Sequence, residues 1–315
     1  MGDRNIKVDY NYYKTSSSKK KKKSKWSILV AIILIISFSA SAGFFMSLFT
    51  RFTLLNFFFA LSPSTGLLPE TNILVLGVDN VTGTHRSDTI MVVHINPKEK
   101  EAKVISIPRD TIVVIPGRGL DKINHAFAYG GVELAKETAA HFFSVEVPYY
   151  VLVDINGLAK IIDKLGGITI DVEKRMYYVD FAGGLYIDLK PGVQRLNGRD
   201  AVAYVRFRED SEGDFGRIRR QQKFIKALVD QFKAKNNILL SPILAFQFLS
   251  NVDTNLNVRQ VFGLAGSMRN AYELGKIEMT SLPGNDIMID GIYYWRADTA
   301  ALQKLIKEYF ALQGG

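Results

Sequence analysis

Asp79, Arg86, Asp88, Arg109 and Asp110 are the residues of this chain whose types and spacing first suggest chemistry. They stand at the ends of three apolar runs, Ile73 to Val78, Thr89 to Ile95 and Val104 to Ile107. Each run has the length and β-branched content of a strand, and each is bounded by Gly, Pro, Asn or charged residues. Asp79 follows the first run, Arg86 and Asp88 precede the second, and Arg109 and Asp110 follow the third. Two antiparallel neighbours with the third strand beside them bring these ends to one edge of a sheet. Acids and guanidinium groups meeting there would hold a divalent cation and a phosphate. The competing reading is a pair of structural salt bridges.

A second set of phosphate-binding types lies between Arg206 and Gln222. Asn197 to Phe207 reads as a helix from its Ala and Val spacing and delivers Arg206 and Arg208 at its end. An acidic loop follows, and Phe215 to Lys235 reads as a long helix with Asp214 as its N-cap. Its first turns carry Arg217, Arg219, Arg220, Gln221 and Gln222. The helix dipole favours acids there. Arginines in that place break the local rule, and such breaks tend to mark sites. For any single arginine, solvation or pairing with Glu209, Asp210 or Glu212 remains the plainer account. Nothing suggests a covalent protein nucleophile: no serine lies in a nucleophile-elbow pattern, and the chain has no cysteine. Neither a Walker loop nor a complete dinucleotide fingerprint is present. The four histidines show no ligand-pair spacing; His94 reads as core, and His85 adjoins Arg86.

Around these residues, strand-like and helix-like segments alternate from residue 71 to about 232, which predicts an α/β domain with helices on the sheet faces. Thr111 to Ile115, Tyr149 to Val153, Ile168 to Val172 and Leu185 to Leu189 read as further strands. Asp121 to Ala128, Gly131 to Phe143 and Asn156 to Leu165 read as helices, the last with Gly166-Gly167 as its stop signal. Residues 233–315 read as an extension packed on the domain. It has helices around Ile243 to Leu249, Val258 to Asn270 and Ala297 to Leu312, and short strands at Ile277 to Ser281 and Ile287 to Ile289.

The chain has 315 residues and a net charge of +9. Residues 1–25 hold nine Lys/Arg and two acids, so the remainder carries 31 basic and 29 acidic residues, a net of only +2. The basicity is a tail, which argues against a nucleic-acid surface on the folded part. Trp26 to Phe49 is uncharged over 24 residues, long enough to cross a hydrocarbon core of roughly 30 Å. With the lysine run directly before it, the positive-inside rule predicts a single-pass anchor with a cytoplasmic N-terminus and an extracellular domain. A cleaved signal peptide ending near Ala40-Ser41-Ala42 is the alternative. Residues 50–70 read as an apolar linker.

Taken in order, several motifs resemble the LytR-CpsA-Psr family: NILVLGVD (72–79), RSDT (86–89), SIPRD (106–110), KINHAFAYGG (122–131), LGGITIDV (165–172) and the stretch 204–222. The resemblance covers about residues 71–232. It implies a three-layered α/β/α fold with a mixed sheet and a hydrophobic lipid pocket. It also implies a phosphotransferase that moves a glycopolymer, such as teichoic acid or capsule, from an undecaprenyl-pyrophosphate carrier onto peptidoglycan. Asp79 and Asp88 match the family's Mg2+-associated acids. Arg86, Arg109, Arg206, Arg208, Arg217 and Gln221 match its pyrophosphate-binding residues, Arg217 and Gln221 in preference to Arg220 and Gln222. Asp79, Asp88 and Arg109 are the expected catalytic groups, with Asp79 or Asp88 as base. The same residues would serve a polyprenyl pyrophosphate hydrolase. A non-catalytic, membrane-tethered regulator of envelope assembly would bind anionic lipid without turnover. A cytoplasmic transcription factor is opposed by the anchor and by the near-neutral outer domain.

Overall fold

The computed structural model describes residues 68–78, 87–180, 185–208, 213–234 and 248–310. Outside them lie the basic tail, the expected membrane span, the linker to residue 67, Asp79, His85, Arg86, the acidic loop 209–212, the side chain of Asp214 and most of the helix expected at 243–249. Among the described residues no helix is long and apolar enough to cross a membrane.

The fold is mixed α/β around a mixed sheet. β1 (Thr71–Val78), β2 (Ser87–Asn96) and β3 (Glu101–Ile107) form an antiparallel meander. The C-terminal ends of β1 and β3 and the N-terminal end of β2 therefore share one edge, as Gly77 opposite Thr89 and Ile90 opposite Ile107 show. A hairpin of β4 (Ile112–Ile115) and β5 (Gly119–Lys122) leads into α1 (Ile123–Phe143). β6 (Tyr149–Asp154) then lies parallel to β1.

After β6 the chain builds a smaller unit from α2 (Ile155–Lys164), β7 (Ile168–Val172), β8 (Met176–Asp180), β9 (Leu185–Leu189), β10 (Gly192–Leu196), α3 (Gly198–Arg206) and α4 (Gly213–Ala234). Next come β11 (Asp253–Thr254), α5 (Val258–Glu273), β12 (Ile277–Ser281), the hairpin β13 (Gly284–Ile289) and β14 (Ile292–Ala297), and α6 (Thr299–Tyr309).

The central sheet has the order β11-β6-β1-β2-β3-β12. Both of its edges thus come from residues beyond 250: β11 pairs antiparallel with β6, and β12 pairs parallel with β3. This corrects the sequence expectation of a domain ending at 232 with an extension packed against it. The later residues complete the sheet itself.

Helices cover both faces of the sheet, which is why β1 to β3 are apolar almost throughout. On one face Leu74, Leu76, Val92 and Ile105 pack with Ala139 and Phe143 of α1 and Ile306 of α6. On the other, Ile73, Ile95, Ala102 and Val151 pack with Val261, Phe262 and Ala271 of α5. The smaller unit has its own core, with Ile170, Met176, Ile187 and Leu189 against Tyr204 of α3 and Phe224 of α4. Each fully buried aliphatic or aromatic side chain contributes about 1.5–3 kcal/mol, so these three clusters dominate the stability. His94 is 6% exposed, with Nδ1 2.9 Å from Asn72 Oδ1, and burial lowers its pKa; it is a core residue, as read from the sequence.

Local signals explain most element ends. Asp154 caps α2 by accepting from the Gly157 amide, and Asn197 caps α3 by accepting from the Asp200 amide at 2.8 Å. Four expectations are corrected. Asp121 and Lys122 belong to β5, because they pair with Val113 and Ile112. The two helices expected on either side of Gly130-Gly131 run on as α1, with a kink where Gly131 takes φ 63°. Asp214 lies inside α4, which already begins at Gly213. Ala297 ends β14, paired with Gly284, and the last helix starts at Thr299 behind the Asp298 cap.

Candidate functional site

The shared edge of β1, β2 and β3 opens onto a cavity of about 570 Å³. Arg109, just past the end of β3, donates from Nη1 to Asp88 Oδ1 at 2.6 Å and from Nε to Asp110 Oδ2 at 3.3 Å. Lys122, at the end of β5, donates to Asp110 Oδ1 at 2.7 Å. Four charges thus alternate along one wall, in the order Asp88, Arg109, Asp110, Lys122. Such charged hydrogen bonds are worth about 1.5–3 kcal/mol when shielded, so the wall is fixed before any ligand arrives. The Asn124 amide donates to the Arg109 carbonyl at 3.2 Å and ties the start of α1 to this wall.

The opposite wall is helical. Arg206 and Arg208, at the end of α3, line the cavity, and α4 adds Arg217 and Gln221. Residues four apart share a helix face, which puts Arg217 and Gln221 together. Arg217 is 5% exposed, with Nη1 3.9 Å from Asp88 Oδ1, and Gln221 donates to Thr89 Oγ1 at 2.8 Å. Gly77 makes room for that contact. A Cβ on it would stand 2.9 Å from Thr89 Cβ, and the strand carries its bulge between Gly77 and Val78. Apolar side chains line the same cavity beside the charges: Val75, Met91, Val153, Leu158, Phe224 and Ile225.

Arg220 and Gln222 turn away from this cavity. Arg220 is 2% exposed, donates to the Phe207 carbonyl at 2.5 Å, and lies 3.5 Å from Glu173 Oε1. The Tyr204 hydroxyl donates to Glu173 Oε2 at 3.0 Å. Burial first, and the Glu173 carboxylate second, push the Tyr204 phenol well above its ordinary range. Gln222 reaches Ser106 and Ser281.

Of the residues singled out in the sequence, the structure brings together Asp88, Arg109, Arg206, Arg208, Arg217 and Gln221. Asp79 and Arg86 lie outside the described residues; Asp79 follows Val78, which itself lines the cavity. Sequence reading missed Lys122, Asn124 and His125 as cavity residues. For His125 a signal was available, since an acid four residues earlier in the chain, Asp121, lies 2.9 Å from it.

The family model of the LytR_cpsA_psr family matches residues 67–311. A Bacillus subtilis relative, polyisoprenyl-teichoic acid–peptidoglycan teichoic acid transferase TagU, is 35% identical over 240 residues, covering 75% of this chain and 76% of that one. The crystal structure of B. subtilis TagV superposes with a TM-score of 0.68 at 31% identity, over 78% of this chain and 99% of that one. TagT with bound octaprenyl pyrophosphate lipid superposes with a TM-score of 0.59 at 28% identity, over 79% of this chain and 91% of that one. The protein described here therefore belongs to the LytR-CpsA-Psr family.

Proposed function

We propose that this chain is a membrane-anchored phosphotransferase that moves a glycopolymer from an undecaprenyl-pyrophosphate carrier onto a sugar hydroxyl of peptidoglycan, outside the cell. The observation that carries the reading is the meeting of Asp88, Arg109, Arg217 and Gln221 in a cavity also lined by apolar side chains. A ligand that is anionic at one end and aliphatic at the other matches that division. The transferase name of TagU and the lipid bound to TagT support it.

Phosphoryl transfer needs positioning and charge stabilisation more than covalent help from the protein. Arg109 and Arg217 would hold the pyrophosphate oxygens, with Arg206, Arg208 and Arg86 completing the cradle. Planar guanidinium groups fork onto such oxygens. Gln221 would fix the same group from the helical side. The lipid chain would lie along Val153, Leu158 and Phe224, each buried CH₂ contributing about 0.8 kcal/mol.

Among the described residues no cluster of three or more His, Asp or Glu forms a closed metal site. Mg2+ is held by one or two carboxylates plus substrate phosphates and water, so the partly exposed Asp88 fits it as an open site, with Asp79, outside the described residues, as the expected second acid. When bound, Mg2+ would neutralise charge on the pyrophosphate oxygens.

The purified full-length chain, given lipid-pyrophosphate-linked glycopolymer and a peptidoglycan oligosaccharide, should form a phosphodiester-linked product and release lipid monophosphate. Arg109→Ala and Asp88→Ala should each abolish that product in protein that stays folded, as a cooperative thermal unfolding transition shows. Transfer at the wild-type rate in either variant would remove that residue from the site. Free polymer phosphate appearing alike with and without acceptor would identify a hydrolase. Protease accessibility on intact cells tests the outward orientation.

A further inference from the structure

The wall that runs from β5 into the first turn of α1 holds groups that the pyrophosphate reading leaves unused. Asn124 is 5% exposed and lines the cavity, and its Oδ1 has no hydrogen-bond partner in the structure. A buried acceptor left unmatched is costly, so a donor from a ligand is favoured there. Pyrophosphate oxygens are acceptors and cannot supply one; a sugar hydroxyl can. The next residue, His125, also lines the cavity. Its Nδ1 lies 2.9 Å from Asp121 Oδ1, and the Tyr129 hydroxyl donates to the other oxygen of that carboxylate at 2.7 Å. Nδ1 sits against that carboxylate without a well-formed hydrogen bond, as catalytic groups frequently do before substrate arrives.

Asp121 remains a carboxylate. Burial works against it, but hydrogen bonds from Tyr129, His125 and the Lys122 amide together hold its pKa below the usual range. An acid that engages Nδ1 leaves Nε2 as the basic nitrogen. Charged groups from several elements line the cavity that the imidazole faces, among them Asp88 of β2, Arg109 and Asp110 past β3, Asp154 of β6, and Arg208 and Arg217 on the helical side. Asp121 and Lys122 come from β5, and Asp110 pairs with Lys122. Arg118 lies over the Tyr129 ring, and Asp180 and Arg206 face the same cavity.

We infer that His125, oriented by Asp121, is the general base for the acceptor, and that Asn124 receives a hydrogen bond from the acceptor glycan. The inference rests on the transferase reading and replaces Asp79 or Asp88 as the base. In the step, the acceptor hydroxyl oxygen bonds to the phosphorus that carries the glycopolymer, and its proton passes to His125 Nε2. The bridging P–O bond of the pyrophosphate breaks, and the lipid monophosphate departs with the electron pair. His125 then returns its proton to solvent. Asp88 is left to serve the pyrophosphate side.

The test measures transfer by full-length protein in lipid nanodiscs, together with binding of a fluorescent polyprenyl pyrophosphate. His125→Gln should lower kcat at least ~100-fold, the low end of what a positioned base contributes. It should bind the lipid as wild type does, which also shows that it is folded, and lose the acidic limb of the kcat–pH profile. Asp121→Asn should give a smaller kcat loss, about tenfold, with donor KM unchanged, and it decides the question if His125→Gln fails to bind lipid. The inference is overturned if His125→Gln keeps kcat within threefold of wild type, or loses activity with the acidic limb intact. Wild-type protein that binds no lipid pyrophosphate would instead remove the transferase reading beneath it.

Discussion

The two faces of α4 use the same residue types for opposite purposes. Arg217 and Arg220 are three residues apart and both almost fully buried, at 5% and 2% exposure. Arg220 spends its guanidinium on the protein: it donates to the Phe207 carbonyl, stacks on the Phe207 ring with its centre 5.3 Å away, and pairs with Glu173. Arg217 faces the cavity and reaches Asp88 only at 3.9 Å. Gln221 and Gln222 divide in the same way, one towards Thr89 at the cavity and the other towards Ser106 and Ser281. Burial of an arginine therefore does not mark a site. What its donors face does.

That contrast can be broken most sharply by truncating each arginine. Arg217→Ala should cost transfer about 10²–10³-fold, the usual loss for one preorganised donor, with little change in melting temperature. Arg220→Ala should do the reverse. It removes the buried guanidinium that holds the Phe207 carbonyl and pairs with the partly exposed Glu173, for a loss of about 1–3 kcal/mol in stability, while the folded fraction keeps its activity. Equal effects of the two on activity would mean that the faces are not separate.

Next in size, Gln221→Ala should weaken binding of lipid pyrophosphate about fivefold, a loss near 1 kcal/mol, and Gln222→Ala should leave it unchanged. The smallest effect lies in the alkaline limb of stability. The folded-state pKa of Tyr204 is raised, so the folded protein keeps the phenol proton that the unfolded chain gives up above about pH 10. Stability from this group is complete below that pH and declines as pH rises beyond it. Tyr204→Phe should flatten the decline in urea melts between neutral and alkaline pH, at a neutral-pH cost of about 1 kcal/mol for the lost bond to Glu173.

The sequence was most legible where one physical signal dominated. β1, β2, β3 and β6 are β-branched runs between breakers, and their ends placed Asp88 and Arg109 at a common edge before any coordinates. α2 declared itself through its glycine stop and α3 through its Ala and Val spacing. Strands with little buried side went unseen. β10 buries only Leu196, and β5 buries no residue at all, so neither shows an apolar period of two. β14 and β8 were hidden because each buries a single residue, Trp295 and Met176. The pairing of β12 with β3 joins residues about 175 apart and leaves no local trace. Of the site, the charged cluster was readable from residue type. The Asp121–His125 contact left only its four-residue spacing as a trace, because its two halves belong to a polar strand and a helix whose border the sequence blurs.

The placement of β11 and β12 on the rims of the central sheet sets a schedule for the chain's birth. Until residue 281 has left the ribosome, β3 has no partner on its far side, and β6 lacks one until residue 254. A nascent chain paused at 240 would display two bare rows of amide and carbonyl groups, the kind of surface on which strangers polymerise. Contacts this distant along the chain also close slowly. The sheet's two rims are closed only once residues 254 and 281 have emerged, within the last fifth of the 315 residues.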